Sequence, residues 1–186
     1  VTTIVTGNCG GSKLDVGAFF AAIARTGVAV NVATLIGHNT VRFQVMGGSF
    51  MRPPTPAELD KMRALVEQGM RDGAVGLSTG LIYLPGTFAK TDEIVALAKV
   101  AAAHGGIYAS HMRYENARIL EALDELTTVA REAKIPAEVS HIKLSSPTAW
   151  GRADEILAYL DRARAEGLAI TQDQYAYTAS STGISA

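Results

Sequence analysis

The chain has 186 residues, of which 48% are apolar and 19% charged, and its 17 basic and 18 acidic residues give a formal charge of −1. This composition excludes a disordered chain and predicts a globular one. The balanced charge argues against a nucleic-acid partner, and no apolar run approaches the roughly 18 residues of a membrane helix. We therefore expect neither a nucleic-acid nor a membrane partner. The single cysteine, Cys9, cannot form an internal disulfide, which is typical of the cytoplasm.

Short β-type runs alternate with amphipathic helical stretches, the pattern of a parallel sheet with helical crossovers. The strand runs share a small, apolar or β-branched composition typical of fully buried parallel strands. They lie at residues 2–6, 28–36, 74–78, 106–110, 137–141 and 169–173. Because no sequence repeat accompanies this alternation, a barrel or an open α/β sheet fits the chain better than a stacked array.

Helical patterns fill most of the intervals between these strands. One helix begins with a capping box, Thr55-Pro56-Ala57-Glu58, and ends at Gly73. Thr91 is expected to cap the next helix. The remaining helix stops lie at residues 105–106, 136 and 167. Residues 37–54 are weakly patterned and predict either a functional loop or a short helix.

Side chains with metal-binding chemistry stand at the carboxyl ends of three predicted strands. Cys9 follows the first strand, and His111 and His141 each end a strand directly after a serine. Carboxyl ends of parallel strands meet at one mouth, so we expect the three to converge. One thiolate and two imidazoles suit Zn²⁺ and leave an open position for water. Taken singly, each is more typical of a buried cysteine or a rim histidine, whereas the repeated Ser-His ending one βα unit apart favours the metal site.

Other polar residues at the same edge are candidates for substrate contact. Lys143 and Arg113 each lie two residues beyond a candidate ligand, on the same side of an extended strand, and either could bind a carboxylate. Tyr83 lies on a loop where its hydroxyl could polarise a carbonyl. Asp173 and Tyr175 end the last strand and are weaker candidates. Each of these also has an ordinary alternative as a solvated or rim side chain.

Two further histidines have less specific positions. His104 lies in the last turn of a helix, where an imidazole suits the helix dipole, so we expect it to cap that helix. His38 follows a strand, and the sequence leaves open whether it lines the mouth or has a structural role.

At these residues the sequence resembles the N-acyl-D-amino-acid deacylases, or D-aminoacylases, of the amidohydrolase superfamily. The resemblance runs nearly end to end, and its motifs are Gly7-Asn8-Cys9-Gly10, Gly76-Leu77-Ser78-Thr79-Gly80-Leu81-Ile82-Tyr83, Ser110-His111-Met112-Arg113 and Ser140-His141-Ile142-Lys143. It implies a partial (β/α)₈ TIM-type barrel of the metal-dependent hydrolase type. It also implies Zn²⁺ as cofactor, with Cys9, His111 and His141 as its ligands.

The resemblance further implies a small-molecule substrate and a reaction. The substrate would be an N-acyl-D-amino acid, whose amide bond is hydrolysed to a D-amino acid and a carboxylate. Tyr83 and Lys143 match the residues of the family that contact this substrate.

Two features of the family are not found in the chain. Family members open their barrel with a His-x-His motif, and they carry an essential aspartate on the eighth strand. We therefore expect residues 1–186 to be one internal segment of the catalytic barrel domain, holding the family's second to seventh strands. The first and eighth strands, the general-base aspartate and the family's small β domain would lie outside it.

Two alternatives stay open at this point. A cyclic amidohydrolase of the dihydropyrimidinase or dihydroorotase type shares the barrel and the strand-end ligands, although such sites generally have lysine where Cys9 stands. A noncatalytic α/β module could bind a metal or a metabolite at the same edge. Structural zinc usually has four protein ligands, whereas only three convincing ones occur here.

Residues 1–186 alone are expected not to catalyse this hydrolysis, because the carboxylate that moves the proton would be missing, a loss of about 10²–10⁴ in rate. The measurement compares hydrolysis of N-acetyl-D-methionine by residues 1–186 alone and by the natural protein, meaning the longer protein of which we expect them to be a segment. Activity of the isolated chain within about tenfold of the natural protein would place the base inside it, with Asp173 as the first candidate.

Overall fold

The structure is a computed structural model that describes residues 1–182, within which seven strand segments alternate with six α-helices. The strands are β1 (Thr3–Thr6), β2 (Asn31–Thr34), β3 (Ile36–Gly37), β4 (Gly76–Gly80), β5 (Ile107–His111), β6 (Ala137–Val139) and β7 (Ile170–Gln172). The helices are α1 (Val16–Thr26), α2 (His38–Met46), α3 (Pro56–Arg71), α4 (Thr91–Ala103), α5 (Ile119–Ala133) and α6 (Ala153–Ala165). None of the helices in this part of the chain is long and apolar enough to cross a bilayer.

All paired strands run parallel and follow one another in chain order. β1 pairs with β2, and a second sheet has the order β3-β4-β5-β6-β7. The predicted strand 28–36 is found as β2 and β3, which are separated only by Leu35. The Leu35 N–H donates to the carbonyl of Thr6 (2.9 Å), so the pairing with β1 extends through Leu35 to the start of β3. Successive parallel strands with helical crossovers are the architecture of a (β/α)₈ barrel, and the predicted fold class is confirmed.

Helix boundaries match the prediction where the cap is strong. Thr55 accepts the N–H of Glu58, whose carboxylate accepts the N–H of Thr55 (2.7 Å), so the capping box of α3 is confirmed. At α4 the predicted cap is wrong. Thr91 is the first helical residue, Lys90 occupies the cap position, and the Thr91 hydroxyl donates to Glu125 (3.0 Å).

Two helices differ from the sequence prediction, since α1 was not predicted and α2 was only one of two alternatives. α1 begins after Asp15, whose carboxylate accepts the N–H of Ala18 (2.7 Å). Of the two alternatives for residues 37–54, the short helix is correct, because α2 begins at His38. Its pattern is weak since it has no side-chain cap and buries polar residues, namely His38, Asn39 and Arg42.

The apolar core fills the space between the second sheet and helices α3, α4 and α5. Residues from the sheet and from each helix are almost fully removed from water: Ile36, Met62, Val66, Leu77, Ile94, Leu97, Leu123 and Leu126. Burial of such surface stabilises a fold by about 25 cal/mol per Å². The core therefore anchors the strands whose carboxyl ends carry the candidate ligands.

A buried polar network joins α2 to α4. Glu93 accepts from the guanidinium of Arg42 and lies 2.8 Å from Nε2 of His38. His38 is thus a buried structural residue, and the alternative that it lines the mouth is wrong. The neighbouring Asn39 donates to the carbonyl of Gly80 (2.9 Å), which fixes α2 against the end of β4.

This network stabilises the charged form of the Glu93 carboxyl. Burial alone would raise the pKa of the Glu93 carboxyl, but its contacts with His38 and Arg42 outweigh burial and keep the pKa below its ordinary value. A carboxyl with a lowered folded-state pKa stabilises the fold above its unfolded pKa, and that contribution is lost as the pH falls through the lowered value.

Replacing Glu93 by Gln in the natural protein is expected to lower the free energy of unfolding by about 3–5 kcal/mol, because Arg42 would stay buried without its counter-ion. Urea unfolding followed by far-UV circular dichroism measures the change. Asp60→Asn is the matched control, since it removes the carboxylate of an exposed pair with Arg63 and should cost less than about 1 kcal/mol. Equal losses in the two variants would contradict a stabilising role for the network.

Candidate metal centre

Cys9 lies in the turn that follows β1, and two strand-end glycines let this turn approach the sheet. The φ angle of Cys9 is +55°, in the left-handed region that residues with a side chain rarely adopt. A Cβ atom on Gly80 would stand 2.1 Å from the carbonyl oxygen of Cys9, and one on Gly37 would stand 2.3 Å from that of Gly10. A side chain at either glycine would therefore push the turn away from the ends of β3 and β4.

Ser78 fixes the same turn by hydrogen bonds. It is fully buried in β4, donates to the carbonyl of Gly7, and accepts the N–H of Gly10 (3.1 Å). Two backbone groups of the turn are thereby satisfied by one hydroxyl. Ser78 and Gly80 of β4 thus position the turn that carries Cys9.

The two histidines are placed by neighbouring strands. His111 is the last residue of β5, in register with Gly80 of β4. His141 lies two residues beyond β6 and has a φ angle of +42°. The Asp173 carboxylate accepts the backbone N–H of His141, and its carbonyl accepts the N–H of Ile142 (3.0 Å). Asp173, a weak candidate for ligand or substrate contact, thus supports the unusual backbone of His141.

The structure brings Cys9, His111 and His141 together. One donor atom from each lies within 4.8 Å of the other two. Sγ of Cys9 is 3.4 Å from Nε2 of His141, and the two imidazole rings meet edge to face with centroids 4.3 Å apart. Bonds of about 2.3 Å from sulfur and about 2.1 Å from nitrogen to one ion allow at most about 4.4 Å between Sγ and Nε2, and their separation of 3.4 Å lies within that limit. Their role as ligands stays a prediction.

His111 provides the test of whether a cation fits the centre. Its side chain is buried, and both ring nitrogens are without a hydrogen-bond partner among the described residues. Burial, together with the nearby His141 and Lys143, lowers the pKa of His111 to about 3, so the imidazole is neutral. An unsatisfied buried polar group costs about 1–3 kcal/mol, a cost that coordination of a cation removes.

The other two donors fit the same conclusion. Burial, followed by Lys143, lowers the pKa of His141 and leaves it neutral. Burial raises the pKa of the Cys9 thiol, although Lys143 opposes this shift, so a metal ion would supply the positive field that a thiolate needs. One thiolate and two neutral imidazoles form a donor set suited to Zn²⁺.

Three predicted substrate contacts lie around this centre. The Tyr83 ring is 4.7 Å from the ring of His111, centroid to centroid. Nζ of Lys143 is 3.0 Å from Nδ1 of His141 and 5.8 Å from the centroid of the Tyr175 ring. An aromatic ring and an ammonium therefore lie next to the candidate ligands.

The structure does not bring Arg113 to the centre. Its guanidinium makes two hydrogen bonds to Glu125 (both 2.9 Å) and others to the carbonyls of Thr87 (2.9 Å) and Ala89 (2.8 Å). Side chains alternate between two faces only within a strand, and β5 ends at His111. Arg113 therefore braces the loop before α4 instead of facing the mouth.

Glu115 is a residue of the centre that the sequence analysis missed. Its carboxylate is 6% exposed and accepts from the ammonium of Lys143. Oε1 of Glu115 lies 3.4 Å from Nε2 of His111 and 3.6 Å from Nδ1 of His141. The only sequence signal was an acidic residue four positions after a candidate ligand, outside any strand or helix pattern.

Parallel strands in chain order, with three potential metal donors at or beyond their carboxyl ends, define the class of the fold as a (β/α)₈ barrel with a candidate metal site at its mouth. No family model matches the chain. It is 38% identical over 205 aligned positions to the D-aminoacylase of Alcaligenes xylosoxydans xylosoxydans. The alignment covers 98% of this chain and 42% of that protein.

Solved structures agree with this class. The crystal structure of D-aminoacylase, described as defining a novel subset of amidohydrolases, matches with a TM-score of 0.89 and 34% identity, over 95% of this chain and 42% of that one. The N-acyl-D-glutamate deacylase from Bordetella bronchiseptica was solved with zinc and a phosphonate mimic of the tetrahedral intermediate. It matches with a TM-score of 0.90 and 36% identity, over the same shares of the two chains.

The chain spans 42% of the length of the curated relative. Over nearly all of its own length it is a homologue of the N-acyl-D-amino-acid deacylases, and the resemblance carried by its motifs is confirmed.

Replacing His111 by Ala in the natural protein is expected to weaken Zn²⁺ binding about 100-fold or more, because a direct donor is lost. Loss of a residue that only hydrogen-bonds to a ligand typically costs about 10- to 100-fold. Competition with a chromophoric chelator measures the affinity. His104→Ala is the control, since His104 pairs with Glu67 at the far end of α4. Unchanged affinity in His111→Ala would remove His111 from the ligand set.

Proposed function

We propose that the natural protein is a zinc-dependent N-acyl-D-amino-acid deacylase that hydrolyses the amide bond of a small-molecule substrate to a D-amino acid and a carboxylate. The observation that carries this proposal is the cluster of Cys9, His111 and His141, whose donor atoms lie within 4.8 Å in a homologue of such deacylases. Cys9 in place of lysine weighs against the cyclic-amidohydrolase alternative.

The metal would be held by the Cys9 thiolate and the two neutral imidazoles. When bound, Zn²⁺ supplies a Lewis acid that polarises the amide carbonyl and activates water for attack. The chain contributes fixed positions for the donors, through Ser78 for the turn of Cys9 and Asp173 for the backbone of His141. Such fixed positions reduce the reorganisation needed during the reaction.

Lys143 is the candidate for binding the substrate carboxylate. Its ammonium lies beside His141 and is partly exposed, so a carboxylate at the mouth can reach it. The Tyr83 ring packs against His111, and its hydroxyl is the candidate donor to the acyl oxygen. The carboxylate contact and the carbonyl contact orient two substituents of the substrate Cα at the metal, and the D-configuration is the one for which the relatives of the chain are named.

Proton transfer to the leaving amine also needs a carboxylate. Among residues 1–182, Glu115 accepts from Lys143 and Asp173 accepts the N–H of His141. Because both carboxylates at the centre already have structural partners, we propose that the base comes from elsewhere in the natural protein, as the resemblance implies.

The proposed chemistry also bears on the compartment. Cys9 has to stay reduced to ligate a metal, and the chain carries no second cysteine for a disulfide. We therefore propose the cytoplasm as the place of action.

The natural protein is expected to hydrolyse N-acyl-D-amino acids and to leave the L-isomers largely unchanged, because its relatives are named for D-configured substrates. Amino-acid release from N-acetyl-D-methionine and N-acetyl-L-methionine, measured at equal enzyme and zinc concentrations, compares the enantiomers. Comparable kcat/KM values for both would contradict the proposed function.

Replacing Lys143 by Met is expected to raise KM about 10- to 100-fold with a smaller effect on kcat, because an ionic contact made equally in the ground and transition states is uniform binding. Steady-state kinetics of the natural protein separate the two constants. Lys99→Met is the matched control, since Lys99 is exposed on α4. If kcat falls and KM is unchanged, Lys143 acts in the chemical step and not in carboxylate binding.

A further inference from the structure

Glu115 is held rigidly where the loops after β5 and β6 meet. Its carbonyl accepts both the N–H (2.8 Å) and the hydroxyl (3.0 Å) of Ser145. Its buried carboxylate therefore has a defined place, against the ammonium of Lys143 and close to both imidazoles. The proposed mechanism gives this carboxylate no role as a ligand or as a base.

The orientation of His141 gives the carboxylate a specific task. Nε2 of His141 faces Sγ of Cys9 (3.4 Å), while Nδ1 faces Nζ of Lys143 (3.0 Å) and Oε1 of Glu115 (3.6 Å). A neutral imidazole carries one N–H, so ligation of a metal through Nε2 requires the proton on Nδ1. An ammonium only donates and cannot accept a hydrogen bond from that N–H, whereas a carboxylate can.

We propose that Glu115 is a positioning residue of the metal centre: it accepts the Nδ1–H of His141 when Nε2 binds the metal, and it keeps the Lys143 ammonium beside the site. This inference rests on the proposed function for the presence of a metal at these ligands. On metal binding the imidazole proton moves from Nε2 to Nδ1, and the Cys9 thiol proton passes to solvent. The imidazole stays neutral throughout.

The same exchange has a consequence for Lys143. With a proton on Nδ1, the ammonium loses that acceptor and retains those on Glu115 and on the His141 carbonyl (3.3 Å). One N–H of Lys143 is then available for another acceptor, such as the substrate carboxylate. Glu115 thus links occupancy of the metal site to readiness of the carboxylate-binding residue.

The first test is the zinc affinity of Glu115→Gln in the natural protein, measured by chelator competition without substrate. A neutral amide oxygen is a weaker acceptor than a carboxylate, so Kd should rise about 10- to 100-fold. Glu125→Gln is the matched control, because Glu125 forms a similar partly buried pair with Arg113 away from the centre. Its zinc affinity should stay within about twofold of the wild type, and an equally small effect in Glu115→Gln would overturn the proposal.

The second test repeats Glu115→Gln in a Lys143→Met background. This double variant has no unpaired buried ammonium, so it keeps the test decisive if the single variant misfolds. Zinc affinity should fall about as much as in the single variant, because the proposed contact is with His141. A loss that disappears in the double variant would reduce Glu115 to a counter-ion of Lys143 and overturn the proposal.

X-ray absorption at the zinc edge distinguishes positioning from ligation. The number of light-atom ligands should be the same in the wild type and in Glu115→Gln, and the loss of one would make Glu115 a ligand and overturn the proposal. A wild-type protein that gives the expected zinc affinities but hydrolyses no N-acyl-D-amino acid would overturn the proposed function alone.

Discussion

The candidate metal centre depends on the close backbone approach between the turn of Cys9 and the ends of β3 and β4. Each of the two strand-end glycines lies so near a carbonyl of the turn that no side chain could be accommodated. The serine of β4 then satisfies polar groups of the turn that would otherwise be buried without partners. These contacts hold the thiol in place, and the histidines, placed by the ends of β5 and β6, complete the donor set around it.

Much of the fold and of the centre could be predicted because the signals were local or topological. The capping box of α3 is written in four consecutive residues, and buried parallel strands have a recognisable composition. Cys9, His111 and His141 could be grouped without any contact information, since the carboxyl ends of parallel strands share one edge. Strand alternation placed Lys143 near them, and a position on a loop after a strand placed Tyr83 there.

The rest depended on tertiary contacts that leave no periodic trace in the sequence. α2 buries His38 and Arg42, whose polar side chains obscure the helical pattern because their buried partner, Glu93, lies on α4. Arg113 was placed by strand alternation beyond the point where the strand ends. Glu115 lies in a loop, and its importance comes from side chains that are distant in sequence. Beyond the end of a strand the rule of alternation is no longer enforced by the backbone, so it placed Lys143 correctly and Arg113 wrongly.

The chain order of the strands gives the donor cluster a geometric meaning. From β1 through β2/β3, β4 and β5 to β6 there are four interstrand steps, which in a flat arrangement would separate β1 from β6 by about 19 Å. Sγ of Cys9 and Nε2 of His141, which follow these two strands, are nevertheless 3.4 Å apart. The strands must therefore curl so far that β1 and β6 face one another across the interior. A cation bound there would cross-link segments that follow β1, β5 and β6. Coordination would therefore fix the curvature of the barrel wall as well as supply chemistry.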